Sequence, residues 1–198
     1  MCSRYEVRAS PADIIERFGL VATSHAFFDR VTGPEVRPTD PALVIATDQT
    51  PDILPWGLEV TWQKSPVINA RAETATQKPT FNSILNRRVL IPASAYIEWR
   101  RDGRDKIKTQ IAPRSSKLFA MAGLQSDNRF VILTCSPAEP IAHIHNRMPV
   151  ILDNEGEQAW LNPDHSFADL SALLQPYTGD FDTTETPPPT PQQSDLFG

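Results

Sequence analysis

Short apolar runs set between turn residues dominate this chain, and that pattern predicts strands. Ala42-Leu43-Val44-Ile45-Ala46 reads as a buried strand. From Arg88 the pattern continues as Val89-Leu90-Ile91 and then Ala95 to Arg101, where Asp102-Gly103 makes a hairpin turn into Lys106 through Ile111. A second hairpin pairs Leu118 to Leu124 with Arg129 to Cys135 through Ser126-Asp127-Asn128, and Val150-Ile151-Leu152 is a late strand. Helix signals are fewer. Ser10-Pro11 supplies an N-cap and a first-turn proline for a helix running to Phe18, with Gly19 closing it. A helical turn is expected over Asn82 to Leu85, and helices around Glu155–Leu161 and Phe167–Leu174. Together these elements predict an α+β fold. It is a single domain over residues 1–178, built on a curled, mostly antiparallel, barrel-like β-sheet with flanking helices. The stretch from Thr183 to Gln193 is proline-rich and has no apolar residues, so residues 179–198 are expected to form a disordered tail. That tail ends in Leu196-Phe197, two large apolar residues with no core to join.

A chain of 198 residues, 40% hydrophobic, suits one sizeable core. No apolar run approaches the roughly 18 residues of a membrane span, and no signal-peptide apolar region follows Met1. The expectation is a cytoplasmic, nucleoid-associated protein with no membrane partner. The net charge of −5 argues against a nucleic-acid partner until its distribution is read. All 19 Lys and Arg precede residue 151, and residues 71–117 hold 11 of them against 4 acids. A basic segment backed by an acidic C-terminal part can hold phosphates while the molecule stays anionic.

The two cysteines differ in context. Cys135 closes the run Phe130-Val131-Ile132-Leu133 and reads as a buried strand residue, whereas Cys2 has no apolar neighbours in sequence. If Met1 is removed, Cys2 becomes a 1,2-aminothiol. Its α-amine has a reference pKa near 8, so it is far more nucleophilic at pH 7 than a lysine. Such an amine forms a Schiff base with an aldehyde, and the neighbouring thiol can close a five-membered thiazolidine. Strand alternation puts Tyr96, Glu98 and Arg100 on one face and Ala95, Ile97 and Trp99 on the other. Burial of Glu98 would raise its pKa and suit it to acid/base work. His143 and His145, two residues apart, share no helix face, so metal ligation is not expected; His145 beside Arg147 suits an acid/base group near a phosphate-binding guanidinium. Asn69 offers a donor and an acceptor, Arg71 a forked cation, and Trp56 an aromatic able to stack on a base.

Five stretches occur in order: Cys2 after Met1, Trp56-Gly57-Leu58, Asn69-Ala70-Arg71-Ala72-Glu73, Pro92 through Glu98-Trp99, and His145-Asn146-Arg147-Met148-Pro149. In this set the chain resembles the SRAP family, the SOS response-associated peptidases that shield abasic sites in single-stranded DNA. The resemblance covers roughly residues 2–160 and departs from the family at Ser3 and Ala95, where glycine is usual. It implies that Cys2 is the covalent nucleophile, with Glu98 and His145 as acid/base groups and Asn69 orienting the attacking group or the opened sugar. Arg4, Trp56, Arg71, Trp99 and Arg147 would then contact DNA, with no cofactor and no metal. Separately, Gln193-Ser194-Asp195-Leu196-Phe197 resembles the bacterial sliding-clamp-binding pentapeptide, in which Gln193, Leu196 and Phe197 would be the anchors. Two other readings stay open on the sequence: a thiol peptidase or amidase using Cys2, and a non-catalytic adaptor that binds single-stranded DNA.

Overall fold

Gly103 takes a left-handed backbone, φ 59°, as a two-residue hairpin turn requires, and it joins the longest strand pair of the molecule. The computed structural model describes residues 2–20, 23–30 and 34–186. Along the chain its strands are β1 (Arg4–Glu6), β2 (Glu35–Val36), β3 (Pro41–Ala46), β4 (Pro51–Pro55), β5 (Asn69–Arg71), β6 (Arg88–Ala93), β7 (Ala95–Asp102), β8 (Asp105–Pro113), β9 (Phe119–Gln125), β10 (Phe130–Cys135), β11 (Met148–Pro149), β12 (Ile151–Leu152) and β13 (Phe181–Thr186). The helices are α1 (Pro11–Phe18), α2 (Pro79–Asn82) and α3 (Asn154–Leu161).

These strands form two open sheets, where one curled, barrel-like sheet was expected. One sheet has the order β13-β8-β7-β1-β2; the other runs β11-β10-β9-β6-β3-β4, with β12 added on β9 and β5 on β10. The chain changes sheet at Ser94, between β6 and β7. Pro92 cannot donate to a ladder. Ser94 turns its backbone N–H (2.7 Å) and its hydroxyl (3.0 Å) to the Glu6 carbonyl. That corner stops β6 and β7 from continuing as one surface, which is why the sheets do not close. The expected antiparallel character holds except for β5, which pairs parallel to β10.

Helix α1 begins as anticipated, with Ser10 and Asp13 forming a reciprocal capping box and Gly19 ending it at φ 62°. Arg17 on α1 grips the buried Glu157 of α3 through two hydrogen bonds of 3.0 and 2.7 Å. The expected helix at Phe167–Leu174 is only a tight turn at Ser171–Leu173, although Phe167, Leu170 and Leu174 are buried at helical spacing. The tail expectation changes most. Residues Phe181–Thr186 pair with β8 over six positions, from Phe181↔Pro113 to Thr186↔Lys108. Phe181 is buried, Arg100 holds Glu185, and Arg114 holds Asp180 and Asp182, so these residues have partners that composition alone does not show. Residues 187–198, with the expected clamp-binding anchors Gln193, Leu196 and Phe197, lie outside the described residues.

Trp56 sits where the two sheets meet. It is fully buried, donates its indole N–H to the Ile68 carbonyl at 2.8 Å, and packs edge-on against Tyr5 and parallel to Phe130. An aromatic enclosed in this way cannot stack on a base, so its expected DNA contact is replaced by a core role. Trp56→Ala should cost about 3–5 kcal/mol of stability. Urea unfolding measures this, and a loss below 1 kcal/mol would contradict the packing.

Candidate functional site

The three-residue strand β1 places the site. It pairs with β7 in the register Arg4↔Ile97, Tyr5↔Tyr96 and Glu6↔Ala95. Cys2, just before it, is fully buried; its thiol faces the Arg4 carbonyl at 3.5 Å, and its own carbonyl accepts a 2.7 Å bond from the Asn69 side-chain amide. Asn69 reaches Cys2 because β5 is fixed on β10, with Asn69 opposite Ile132. That contact uses the Asn69 NH2, while the buried Asn69 Oδ1 has no hydrogen-bond partner among the described residues.

Glu98 comes from β7 and is 3% exposed. His145, in the loop before β11, brings Nδ1 to 3.7 Å from Glu98 Oε1. The structure therefore gathers Cys2, Asn69, Glu98 and His145 from four distant segments. Burial pushes the Glu98 carboxyl up to about 7, so both protonation states are available near neutrality. Burial, reinforced by the Glu98 charge, raises the Cys2 thiol well above its ordinary range and keeps it protonated. Burial also lowers the His145 pKa. The Arg147 amide donates to His145 Nδ1 at 3.1 Å, and the Arg147 carbonyl lies 3.3 Å from the same nitrogen, so Arg147 offers Nδ1 both a donor and an acceptor.

The expected DNA-contacting residues separate. Arg71 is exposed at the end of β5. Arg147 does not stand free: its guanidinium forks onto Glu73 at 2.7 and 2.8 Å and also donates to the Thr134 carbonyl at 2.5 Å, leaving the side chain 11% exposed. Trp99 is half-buried on the face of β7 opposite Glu98, with the Arg4 guanidinium 5.2 Å above its ring. Sequence reasoning assigned no role to Tyr5 or Tyr96. They are direct cross-strand partners, and each has a buried hydroxyl without a hydrogen-bond partner among the described residues. Nothing in a tyrosine's sequence context signals that. Among the described residues, no group of three His, Cys, Asp or Glu is placed to hold a metal, and no helix is long and apolar enough to cross a membrane.

Glu98 also generates a stability signature. Its pKa is about 7 folded against an ordinary 4.5, so the folded state binds the extra proton between these values and loses stability as pH rises through them. Glu98→Gln removes the buried charge. The variant should be more stable than the parent above pH 7, by up to about 3 kcal/mol, and should match it below pH 4.5. Denaturant titrations at pH 4 and pH 8 read the difference. A variant less stable than the parent at pH 8 would show that Glu98 is a stabilising ion-pair partner instead.

Comparison with known proteins gives this arrangement a context. A profile described as "SOS response associated peptidase (SRAP)" matches residues 1–187. Among curated proteins, the abasic site processing protein YoqW of Bacillus subtilis is 37% identical over 91% of this chain and 89% of its own length. Abasic site processing protein YoaM of the same organism is 36% identical over 91% and 88%. Among solved structures, a protein from Bacteroides thetaiotaomicron superposes with a TM-score of 0.82 at 26% identity, covering 93% of this chain and 91% of that one. With a profile match across nearly the whole sequence and full-length relatives above one-third identity, this chain belongs to the SRAP family, the SOS response associated peptidases.

Proposed function

We propose that this protein processes abasic sites by capturing them covalently in single-stranded DNA through Cys2, once Met1 has been removed. The observation that carries the reading is the convergence of buried Cys2 and Glu98 with half-buried Asn69 and His145, held by the 2.7 Å Asn69–Cys2 bond and the 3.7 Å approach of His145 to Glu98. The names of YoqW and YoaM as abasic site processing proteins point the same way.

An abasic deoxyribose is mostly a closed hemiacetal. Opening it needs a proton taken from the ring hydroxyl and one given to the ring oxygen, work suited to a carboxyl with a pKa near neutrality, with neutral His145 beside it. The Cys2 amine then adds to the aldehyde carbon, and the resulting carbinolamine takes a proton from Glu98 and loses water to leave an iminium. The thiol sulfur attacks that carbon, its proton passes to Glu98, and a thiazolidine remains; the net change is aldehyde plus aminothiol giving ring plus water. Asn69 fixes the Cys2 carbonyl and leaves Oδ1 to accept from the amine or the opened sugar. Arg4, Arg71 and Trp99 flank the strand, and Arg147 reaches a phosphate by releasing Glu73. The raised thiol pKa disfavours the thiol-peptidase alternative, whose nucleophile is a thiolate.

An oligonucleotide with one abasic site should give an adduct that survives a denaturing gel. Cys2→Ala should abolish it. Cys2→Ser, which keeps the amine, should leave only a borohydride-trappable Schiff base, and Glu98→Gln should slow the reaction at least about 10-fold while binding changes little. An adduct formed by Cys2→Ala at the parent rate would sink the mechanism.

We further propose that the segment ending in Gln193, Leu196 and Phe197 docks on a bacterial sliding clamp. Tethering would then raise the local concentration of the domain near exposed single strands. A Thr190–Gly198 peptide should bind purified clamp, and a Leu196→Ala/Phe197→Ala peptide should not. Equal binding by both would exclude the motif.

A further inference from the structure

On the face of β7 away from Glu98, three cations from three chain segments meet at one carboxylate. Arg4 NH1 and Arg37 Nε each lie 3.0 Å from Glu35 Oε1, and Lys108 Nζ lies 2.8 Å from Oε2. Lys108, with Arg37 and Arg4, holds the Glu35 carboxyl down at about 2, so it is ionised at any physiological pH. The register sets Trp99 opposite Lys108 and Arg101 opposite Lys106 on this same face. Arg37 is 60% exposed, Arg4 35% and Lys108 32%, whereas Glu35 is only 20% exposed. Glu35 is thus more enclosed than its three cations; Glu6, its cross-strand partner on β1, is a second buried acid beside it, held by Arg8 and Gln110. A surface ion pair adds little stability, so stability does not explain gathering three cations on one acid. A doubly oxygenated anion held by forked and point cations is the arrangement in which a phosphodiester is bound.

We propose that Glu35 occupies a phosphate seat. A backbone phosphate of a single strand engaged at Cys2 displaces Glu35 from Arg4, Arg37 and Lys108, and Glu35 thereby sets the affinity and salt dependence of DNA binding. This rests on the DNA-binding reading above and adds three residues, Glu35, Arg37 and Lys108, that the sequence pattern did not mark. The position fits. Arg4 follows Cys2 by two residues, at most about 7 Å of chain. That is about the distance from one phosphate to the next along a nucleic-acid strand. In the free protein Glu35 masks part of the positive field, so binding requires an anion able to outcompete it. The swap exchanges one anion for another and involves no covalent step.

The test uses the full chain and an unmodified single-stranded oligonucleotide, so no covalent chemistry enters. Anisotropy titrations are run across salt concentration. Lys108→Ala and Arg37→Ala should each weaken binding about 3- to 10-fold and reduce the slope of log affinity against log salt by about 0.7. Glu35→Gln should do the reverse, tightening binding about 3- to 10-fold and steepening the slope. Unchanged affinity and slope in all three variants would overturn the proposal. So would a Glu35→Gln variant that weakens binding as Lys108→Ala does, since Glu35 would then be a scaffold for its cations. Adduct formation is scored separately on an abasic oligonucleotide. If the parent forms no adduct while the three salt effects appear, the phosphate seat stands and the covalent reading falls.

Discussion

Whether Cys2 meets Glu98 depends on the pairing of β1 with β7. Side chains alternate along a strand, so a slip of one residue would turn Tyr5 from the Tyr96 face to the Ile97 face and carry Cys2 away from the carboxylate. A three-residue strand cannot set its own register. It is set from outside: Val7 N–H bonds the Pro34 carbonyl at 2.7 Å, the Ser94 corner takes the Glu6 carbonyl, and Asn69 takes the Cys2 carbonyl. Trp56, packed on Tyr5 from the other sheet, closes the remaining side. The site is therefore a property of both sheets together, although each supplies only some of its residues.

Burial then determines what the gathered groups can do. In water Glu98 would be ionised and the thiol partly so at slightly alkaline pH. In this enclosure the carboxyl moves up to about 7 and the thiol much higher. The same enclosure leaves the Tyr5 and Tyr96 hydroxyls without hydrogen-bond partners among the described residues. Unpaired buried hydroxyls of this kind typically cost about 1–3 kcal/mol each.

Much of this was legible in the sequence, for identifiable reasons. Asp102-Gly103 announces its hairpin because only glycine takes that backbone cheaply, and Ser10-Pro11 announces α1 because a cap and a first-turn proline are local chemistry. The ordered motifs marked Cys2, Asn69, Glu98 and His145, which the fold brings near one another. What was not legible is non-local. Strands as short as β1, β5 and β11 have no periodicity of their own and exist through partners 30 or more residues away, apart from the nearer β10–β11 pair. Trp56 serves equally well as a base platform or a core filler, and only its neighbours decide. β13 reads as a polar linker because its support comes from Arg100, Arg114 and the β8 backbone. Glu35, an isolated acid in sequence, acquires meaning only when β1 and β8 bring cations to it.

The edge position of β13 has a mechanical consequence. It has only one neighbouring strand, β8, so a pull on the chain beyond Thr186 loads the Thr186↔Lys108 pair first and then the Glu185–Arg100 contact. Ladder bonds released one after another yield gradually, unlike bonds sheared all at once. The strand can extend about 20 Å in this way before strain reaches Phe181, the buried residue at its far end. β7 and β1 lie beyond β8 and take no part in that peeling. A load taken up by this strap therefore leaves the register of β1 on β7, and with it the enclosure around Cys2, unchanged.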